Sequence, residues 1–403
     1  MSSVPFLRFS TPDVGKEEIE EVVETLRSGW LTTGEKTARF ERNFAAYAGA
    51  RHALAVNSCT AGLHLALAAL GIGPGDEVIT TPLTFCSTVN VILAVGATPV
   101  LADIGEDLNI SPKAISAVLS PRTRAIIPVH FGGLPCDMKS IWALARRRRL
   151  FVIEDAAHAA GALCAGRPIG SGASDAVAFS FYATKNLTTG EGGMVTTPSA
   201  DLADRMRVLC LHGISRDAWA RYSEKGSWYY EVTACGFKYN MSDIMAAIGL
   251  AQLKKLEKMT ARRIAVAHRY NDALADIRQV ELPPDSPLSR HCWHLYALRL
   301  NLDQLTIDRA QFFDEMRDRG IGCSVHFIPI PLHPLYRETL SFPDPCSRAI
   351  EEYSRLLSIP LHSRMNDDEV DRVVSAVRDV CVRFGKGKQL AASASYQAAM
   401  QAT

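Results

Sequence analysis

The chain has 403 residues, too many for one ordinary hydrophobic core, so two domains are expected. Its 44 Lys and Arg stand against 43 Asp and Glu, a net charge of +1, which leaves no global field to attract nucleic acid or an anionic membrane. No apolar run approaches the roughly 18 residues of a membrane span, and no secretory pattern opens the chain, so a cytoplasmic location is expected.

In chain order, Ile19, Val22, Val23 and Leu26 recur at helical spacing and predict a helix closed by Gly29. HALAVNS reads as a strand, and TAGLHLALAALG as a small-residue helix stopped by Gly71. A GPGD turn leads into strand EVITTP, helix TFCSTVNVILAVG and strand TPVLADI. Helix SPKAISAVL, strand TRAIIPVHF, helix DMKSIWALARRRR and strand LFVIEDAA follow. The basic run 146–149 reads as a solvated helix end that complements the dipole. These strands are apolar throughout, which predicts a sheet covered on both faces. Repeated strand–helix–strand units predict a mainly parallel sheet.

Downstream, DAVAFSFY and GGMVTTP are short strands separated only by a loop, and close pairing is expected. SADLADRMRVLCLHG begins a helix, and residues 215–230 read as a surface excursion. A long helix from MSDIMAAIG to YNDAL carries the chain out of the first domain. CWHLYALRL, a helix at RAQFFDEMRDRG, IGCSVHFIP and a last helix at DDEVDRVVSAVRDV compose a smaller α+β domain. The expected fold is therefore α/β, with a large domain over 1–255 whose first residues can pack on the small one. The small domain covers 256–385, and 386–403 form a frayed tail. The ten cysteines show neither CxxC pairs nor His–Cys ligand spacing, so reduced thiols are expected and no metal site.

In open α/β sheets, ligand groups gather at the carboxyl ends of strands. NSCTAG joins a strand to a helix N-terminus, where free N–H groups and the dipole favour a phosphate. Ser58 and Thr60 offer hydroxyls there, while small Ala61 and Gly62 permit close approach. A simple N-cap by Ser58 or Thr60 accounts for the same residues. EDAAH closes another strand with Asp155 and, three residues on, His158. A carboxylate at that place also serves as a helix cap or half of an ion pair. TPLTF puts Phe85 past a third strand, where core packing is the ordinary reading. SFYATKNLTTGEGG puts Ser180 and Lys185 past a fourth, with one amine between an apolar strand and a glycine-rich turn.

Together these residues meet the needs of pyridoxal phosphate. Its aldehyde requires a lysine for a Schiff base, and its phosphate suits a helix N-terminus with hydroxyls. Its pyridine nitrogen requires a buried carboxylate that keeps it protonated, and its ring a flat apolar cover. A glycine loop leaves Lys185 mobile enough to shuttle a proton. Signatures of competing chemistries are absent: no GxGxxG between strand and helix, no GxxxxGK[ST], no GxSxG and no HExxH.

The blocks SGWLTTGEKTARFE, GDEVITTPLTF, GATPVLADI, RTRAIIPVHFGG, VIEDAAHAAGA, SFYATKNLTTGEGGMV, GFKYNMSDIMAAIGLAQL and GIGCSVHF, in this spacing, resemble the DegT/StrS family of sugar aminotransferases. The likeness covers nearly the whole chain and points to enzymes that aminate C4 of nucleotide-linked 4-keto sugars, such as those of the 4-amino-4-deoxy-L-arabinose and pseudaminic-acid pathways. The resemblance implies a fold-type-I pyridoxal 5'-phosphate enzyme and a ping-pong transamination with L-glutamate as donor. It makes Lys185 the Schiff-base lysine, Asp155 the pyridinium partner and His158 a neighbour of the ring and its phenolic oxygen. Phe85 becomes the ring cover, and Thr60, Ala61 and Ser180 hold the phosphate beside Ser58. Asn240 in FKYNMSD matches a residue lent to the phosphate of the neighbouring subunit, which implies a homodimer with shared active sites. His326 and residues 29–33, with Trp30 and Thr32, match the lining of the sugar-nucleotide pocket.

Two positions depart from the family pattern. Cys59 stands where glycine or another small residue is common, and Pro331 where relatives often carry a polar one, which bears on sugar specificity. An aminocyclitol (keto-inositol) aminotransferase or a C3-specific sugar enzyme shares every cofactor residue and is the alternative. The presence of Lys185 argues against a non-catalytic scaffold and against dehydratase-type relatives that replace it.

Overall fold

A computed structural model describes residues 5–214, 229–342 and 345–386. Most of the surface excursion expected over 215–230 and all but the first residue of the expected tail lie outside them.

Two helices, α1 (Lys16–Ser28) and α2 (Glu35–Ala48), lead into an alternating stretch. It contains strands β1 (His52–Val56), β2 (Glu77–Thr80), β3 (Thr98–Leu101), β4 (Thr123–Ile127) and β5 (Phe151–Asp155). Helices α3 (Cys59–Ala69), α4 (Ser87–Ala94), α5 (Pro112–Ala117) and α6 (Met138–Arg148) connect them. A short hairpin, β6 (Leu163–Cys164) and β7 (Arg167–Pro168), precedes β8 (Ala176–Ser180) and β9 (Gly193–Thr197).

The central sheet has seven strands in the order β1-β9-β8-β5-β4-β2-β3. Only β9 is reversed, antiparallel to both β1 and β8, while the other neighbours are parallel. The reversal follows from the connection: a loop, not a crossover helix, joins β8 to β9, so the two strands pair as a hairpin. Every residue of β2, β8 and β9 is buried, as the unbroken apolar runs require of a sheet covered on both faces. Because β1, β2, β5 and β8 run the same way, their carboxyl ends share one edge.

After α7 (Ala200–Cys210), the 32-residue helix α8 (Asp243–Leu274) joins two apolar cores. Ala246, Leu250, Leu256 and Met259 pack with Phe40, Phe44 and Phe179 on the central sheet. Val266, Ala267, Tyr270 and Leu274 pack with Leu298, Ile359 and Val377. The expected division after residue 255 thus falls inside one continuous helix. The second core is built on β10 (Val280–Glu281), β12 (Tyr296–Leu300) and β13 (Leu356–Ile359), an antiparallel sheet, while β11 (Ser289–Arg290) pairs with β6. Helices α9 (Arg309–Asp318) and α12 (Asp367–Phe384) complete it, while α10 (Pro334–Thr339) and α11 (Ser347–Arg355) bury Tyr336 and Ala349 in a separate cluster with Leu83, Phe131 and Leu356. Leu7 belongs to this core and exchanges backbone bonds of 2.8 Å with Gly320 and Gly322.

The N-terminal helices depart from simple periodicity. The apolar stripe of α1 is only partly covered: Val22 and Val23 are half-buried, while Ile19 is 60% and Leu26 52% exposed. Helix α1 instead buries Glu18 against α8, where Gln252 and Lys255 donate to its carboxylate at 2.8 and 3.0 Å. Helix α2 forms where no element is expected, because its buried stripe holds only two large apolar residues, Phe40 and Phe44.

Candidate functional site

The shared strand edge opens on a cavity of about 320 Å³, within the range of roughly 300–1,000 Å³ usual for small-molecule sites. The fold brings Ser58, Thr60, Phe85, Asp155, His158, Ser180, Lys185 and His326 to its wall. Among the described residues, no cluster of His, Cys, Asp or Glu is arranged to hold a metal ion. None of the ten cysteines is in a disulfide.

Lys185 sits one turn past the end of β8, its backbone N–H bonded to the Tyr182 carbonyl at 2.9 Å. The residue keeps part of its surface open to the cavity, but its amine lies deep among protein atoms. Burial disfavours the ammonium and brings its pKa down to about 8, although the nearby Asp155 charge acts in the opposite direction. The glycines after it serve close approach as well as turning. A Cβ on Gly193 would lie 2.7 Å from the backbone of Ser58 and Cys59, so only glycine lets β9 abut the start of α3.

Asp155 ends β5 and is buried. Its carboxylate accepts from the Thr88 hydroxyl at 2.8 Å and from the Ala157 N–H at 3.1 Å. Burial raises its pKa, with these donors and Lys185 opposing the shift. The Cys59 thiol donates to the Ala178 carbonyl at 3.5 Å and lies 3.9 Å from an Asp155 oxygen. Burial pushes its pKa well up, so the position that departs from the family pattern supplies a protonated thiol on the cavity wall.

His158 accepts from the Gly132 N–H at Nδ1, at 3.3 Å, which leaves the proton on Nε2. Burial, with Lys185 and His326 nearby, holds the ring well below its usual pKa and therefore neutral. It stacks on Phe327 with centroids 5.7 Å apart. His326 bonds the Ser358 hydroxyl at 2.9 Å, and burial lowers its pKa to about 4.

Helix α3 begins at the cavity. Ser58 caps it by accepting from the Ala61 N–H at 3.1 Å, so the N-cap reading holds while Ser58 also lines the cavity. Thr60 is exposed toward the cavity, and Ser180 lies across from it at the end of β8. Phe85 is 58% exposed on the cavity wall, which does not fit the core alternative.

Four expected site residues do not line this cavity. Ala61 is buried behind the wall, its N–H taken by Ser58. Asn240, Trp30 and Thr32 lie elsewhere and belong to one neighbourhood: Asn240 donates to the Thr33 hydroxyl at 2.7 Å, and the Thr32 carbonyl accepts from Asp243 N–H at 3.1 Å. Trp30 is 42% exposed.

The sequence reading missed Thr88, His294, Tyr182 and Phe327. Thr88 hides in the first turn of α4, with nothing to mark it as the donor to Asp155. His294 carried one signal, a polar ring inside the apolar run CWHLYALRL.

The donor set fits pyridoxal 5'-phosphate. An amine that sheds its proton easily, a buried carboxylate and a hydroxyl-lined helix N-terminus meet in one cavity of suitable size.

Comparison with known proteins agrees. Residues 12–378 match the model of the DegT/DnrJ/EryC1/StrS aminotransferase family. The chain is 54% identical over 378 residues to the spore coat polysaccharide biosynthesis protein SpsC of Bacillus subtilis, covering 93% of this chain and 97% of SpsC. Its fold is similar to that of Streptococcus pneumoniae Spr1654 in the PMP form, with a TM-score of 0.88 and 33% identity over 94% of this chain and 100% of that one. Spr1654 is also solved in a PLP form. Helicobacter pylori PseC, an aminotransferase involved in the biosynthesis of pseudoaminic acid, matches with a TM-score of 0.86 and 29% identity over 94% and 100% of the two chains.

Proposed function

The chain belongs to the DegT/DnrJ/EryC1/StrS aminotransferase family and is a pyridoxal 5'-phosphate-dependent sugar aminotransferase, and from that premise we propose that it transfers an amino group from L-glutamate to C4 of a nucleotide-linked keto-deoxy sugar. The observation that carries this reading is the buried Lys185 amine, with a pKa near 8, in one cavity with Asp155. The descriptions of SpsC as a spore coat polysaccharide biosynthesis protein and of PseC as an aminotransferase in the biosynthesis of pseudoaminic acid support a sugar substrate.

When bound, the cofactor would supply an electron sink next to the transferred nitrogen. Lys185 loses its proton around pH 8, well below an ordinary lysine, so the neutral amine is within easy reach to bond an aldehyde and afterwards to carry a proton. Asp155, kept apart from water and held by Thr88 and Ala157, stabilises positive charge on a pyridine nitrogen. His158, with its Nδ1 occupied by the Gly132 N–H, would offer its Nε2–H as a donor to the cofactor's ring oxygen. Ser58, Thr60, Ser180 and the first turn of α3 would hold the phosphate, and Phe85 would cover the ring. His326, on the same wall, faces the sugar.

The working unit in this reading is a homodimer. Asn240, with Trp30 and Thr32, serves the partner's cavity, which accounts for their absence from their own. The exposed apolar side of α1, with Ile19 and Leu26, supports a covered face there. A large cofactor-binding domain over 1–255 and a small domain over 256–385 meet within α8. The absence of disulfides fits a cytoplasmic location.

The test is incubation with glutamate and a panel of UDP-, dTDP- and GDP-linked keto sugars, with the amine detected by mass. The wild-type protein is expected to aminate a 4-keto sugar, while Lys185→Ala loses both the visible absorbance of the bound vitamer and all turnover. Turnover retained by Lys185→Ala removes the lysine from its role. Amination of keto-inositols alone would transfer the activity to the aminocyclitol class.

A further inference from the structure

The residue after Lys185 is tied down unusually well. Asn186 is buried, and its Nδ2 donates to the carbonyls of Cys292 at 3.0 Å and Ala160 at 3.4 Å. Two carbonyls facing the amide nitrogen fix which way the side chain points, so its Oδ1 is the acceptor toward His294 Nδ1, 3.2 Å away. His294 must therefore carry its proton on Nδ1. Its Nε2 is left with a lone pair, and His294 lines the cavity. The ring packs tilted against His158, with centroids 4.3 Å apart and planes at 38°.

His158 has the opposite tautomer, since Gly132 N–H occupies its Nδ1. The segment holding His294 is itself clamped to this wall. The Cys292 thiol donates to the His158 carbonyl at 3.0 Å, and Leu295 N–H to the Gly132 carbonyl at 3.0 Å. Gly133 permits the approach: a Cβ there would lie 2.6 Å from the Cys292 sulfur and 3.1 Å from the His294 backbone nitrogen. Burial lowers the pKa of both histidines well below the usual value, so both stay neutral and keep these roles across the physiological range.

We propose that Asn186 and His294 form a positioning couple that anchors the backbone carrying Lys185 and, with His158, presents the cavity with one imidazole donor and one imidazole acceptor. The couple acts through Lys185 and does not replace it. This deepens the proposed function and rests on Lys185 being the cofactor-bonding amine.

Two measurements test it. In the cofactor-free protein, nitrogen NMR of the histidines is expected to show His294 as the Nδ1–H tautomer and His158 as the Nε2–H tautomer, and Asn186→Ala is expected to abolish the first signature. A His294 proton found on Nε2 overturns the couple. The second measurement is the rate at which added pyridoxal 5'-phosphate becomes bound to Lys185, followed by visible absorbance. His294→Phe keeps the ring and loses the donor, while His294→Gln keeps a donor and loses the ring. The couple predicts uptake roughly tenfold slower in His294→Phe, with His294→Gln nearer to wild type, as loss of one buried hydrogen bond implies. Ring packing alone predicts the reverse order, and either that order or wild-type rates in both variants overturns the proposal. If His294→Phe does not fold, the His294→Gln rate and the wild-type tautomers decide. If the wild-type protein takes up no cofactor, the functional reading fails, while the tautomer measurement still judges the couple by itself.

Discussion

A lysine taken out of water gives up its proton more readily, because burial penalises the ammonium and not the amine. At Lys185 this effect outweighs the Asp155 charge, which favours the protonated form, and the pKa settles near 8. Cofactor uptake by the cofactor-free protein is therefore expected to rise with pH through a midpoint near 8, measured as the initial rate of visible absorbance gain. Asp155→Asn removes the opposing charge, so the midpoint moves to lower pH, even as turnover collapses by at least about a hundredfold. A midpoint that moves upward shows that Asp155 does not act on the amine as described. Thr88→Val takes away the hydroxyl donated to Asp155 and leaves a buried carboxylate short of a partner. That change is expected to cost about 1–3 kcal/mol in denaturant unfolding.

At the scale of elements, the site depends on strand polarity. Parallel strands end on one edge, so residues that follow strands in sequence collect without needing to be close along the chain. Asp155, Ser180, Ser58 and Lys185 are legible for this reason, each following an apolar run. The tight seam between α3 and β9 is less visible. Gly193→Ala is expected to push the start of α3 away from β9, because backbone atoms of Ser58, Cys59 and Phe179 occupy the space its Cβ needs. The expected outcome is a lower melting temperature together with weakened phosphate affinity, read by titration of the vitamer. An unchanged affinity in a folded Gly193→Ala protein separates the seam from phosphate binding. Helix α1 illustrates the limit of periodicity. Its apolar spacing announces a helix, yet its contact with α8 runs through Glu18, Gln252 and Lys255. A repeat of 3.6 residues gives a helix two faces and does not say what either face meets.

For the whole molecule, the proposed homodimer makes a complementation prediction. Asn240→Ala is expected to retain the cofactor poorly, and Lys185→Ala to be inactive. Mixing the two under conditions of subunit exchange assembles one intact site per mixed dimer, so part of the activity is expected to return. No recovery, in mixtures shown to exchange subunits, points to a site built within one chain.

The sequence alone determined the alternation of strands and helices, the parallel edge and the gathering of Lys185, Asp155 and the start of α3 at that edge. These follow from local apolar runs and from residues lying within a few positions of a strand end, where short-range rules suffice. The tertiary structure decided that α1 leaves Ile19 and Leu26 of its apolar face exposed, that Asn240 and Trp30 stand off their own cavity, and that Thr88 and His294 reach the site. It also decided which nitrogen of each histidine holds the proton. That depends on Gly132 for one ring and Asn186 for the other, partners distant in the chain that only packing of the whole molecule brings into hydrogen-bond range.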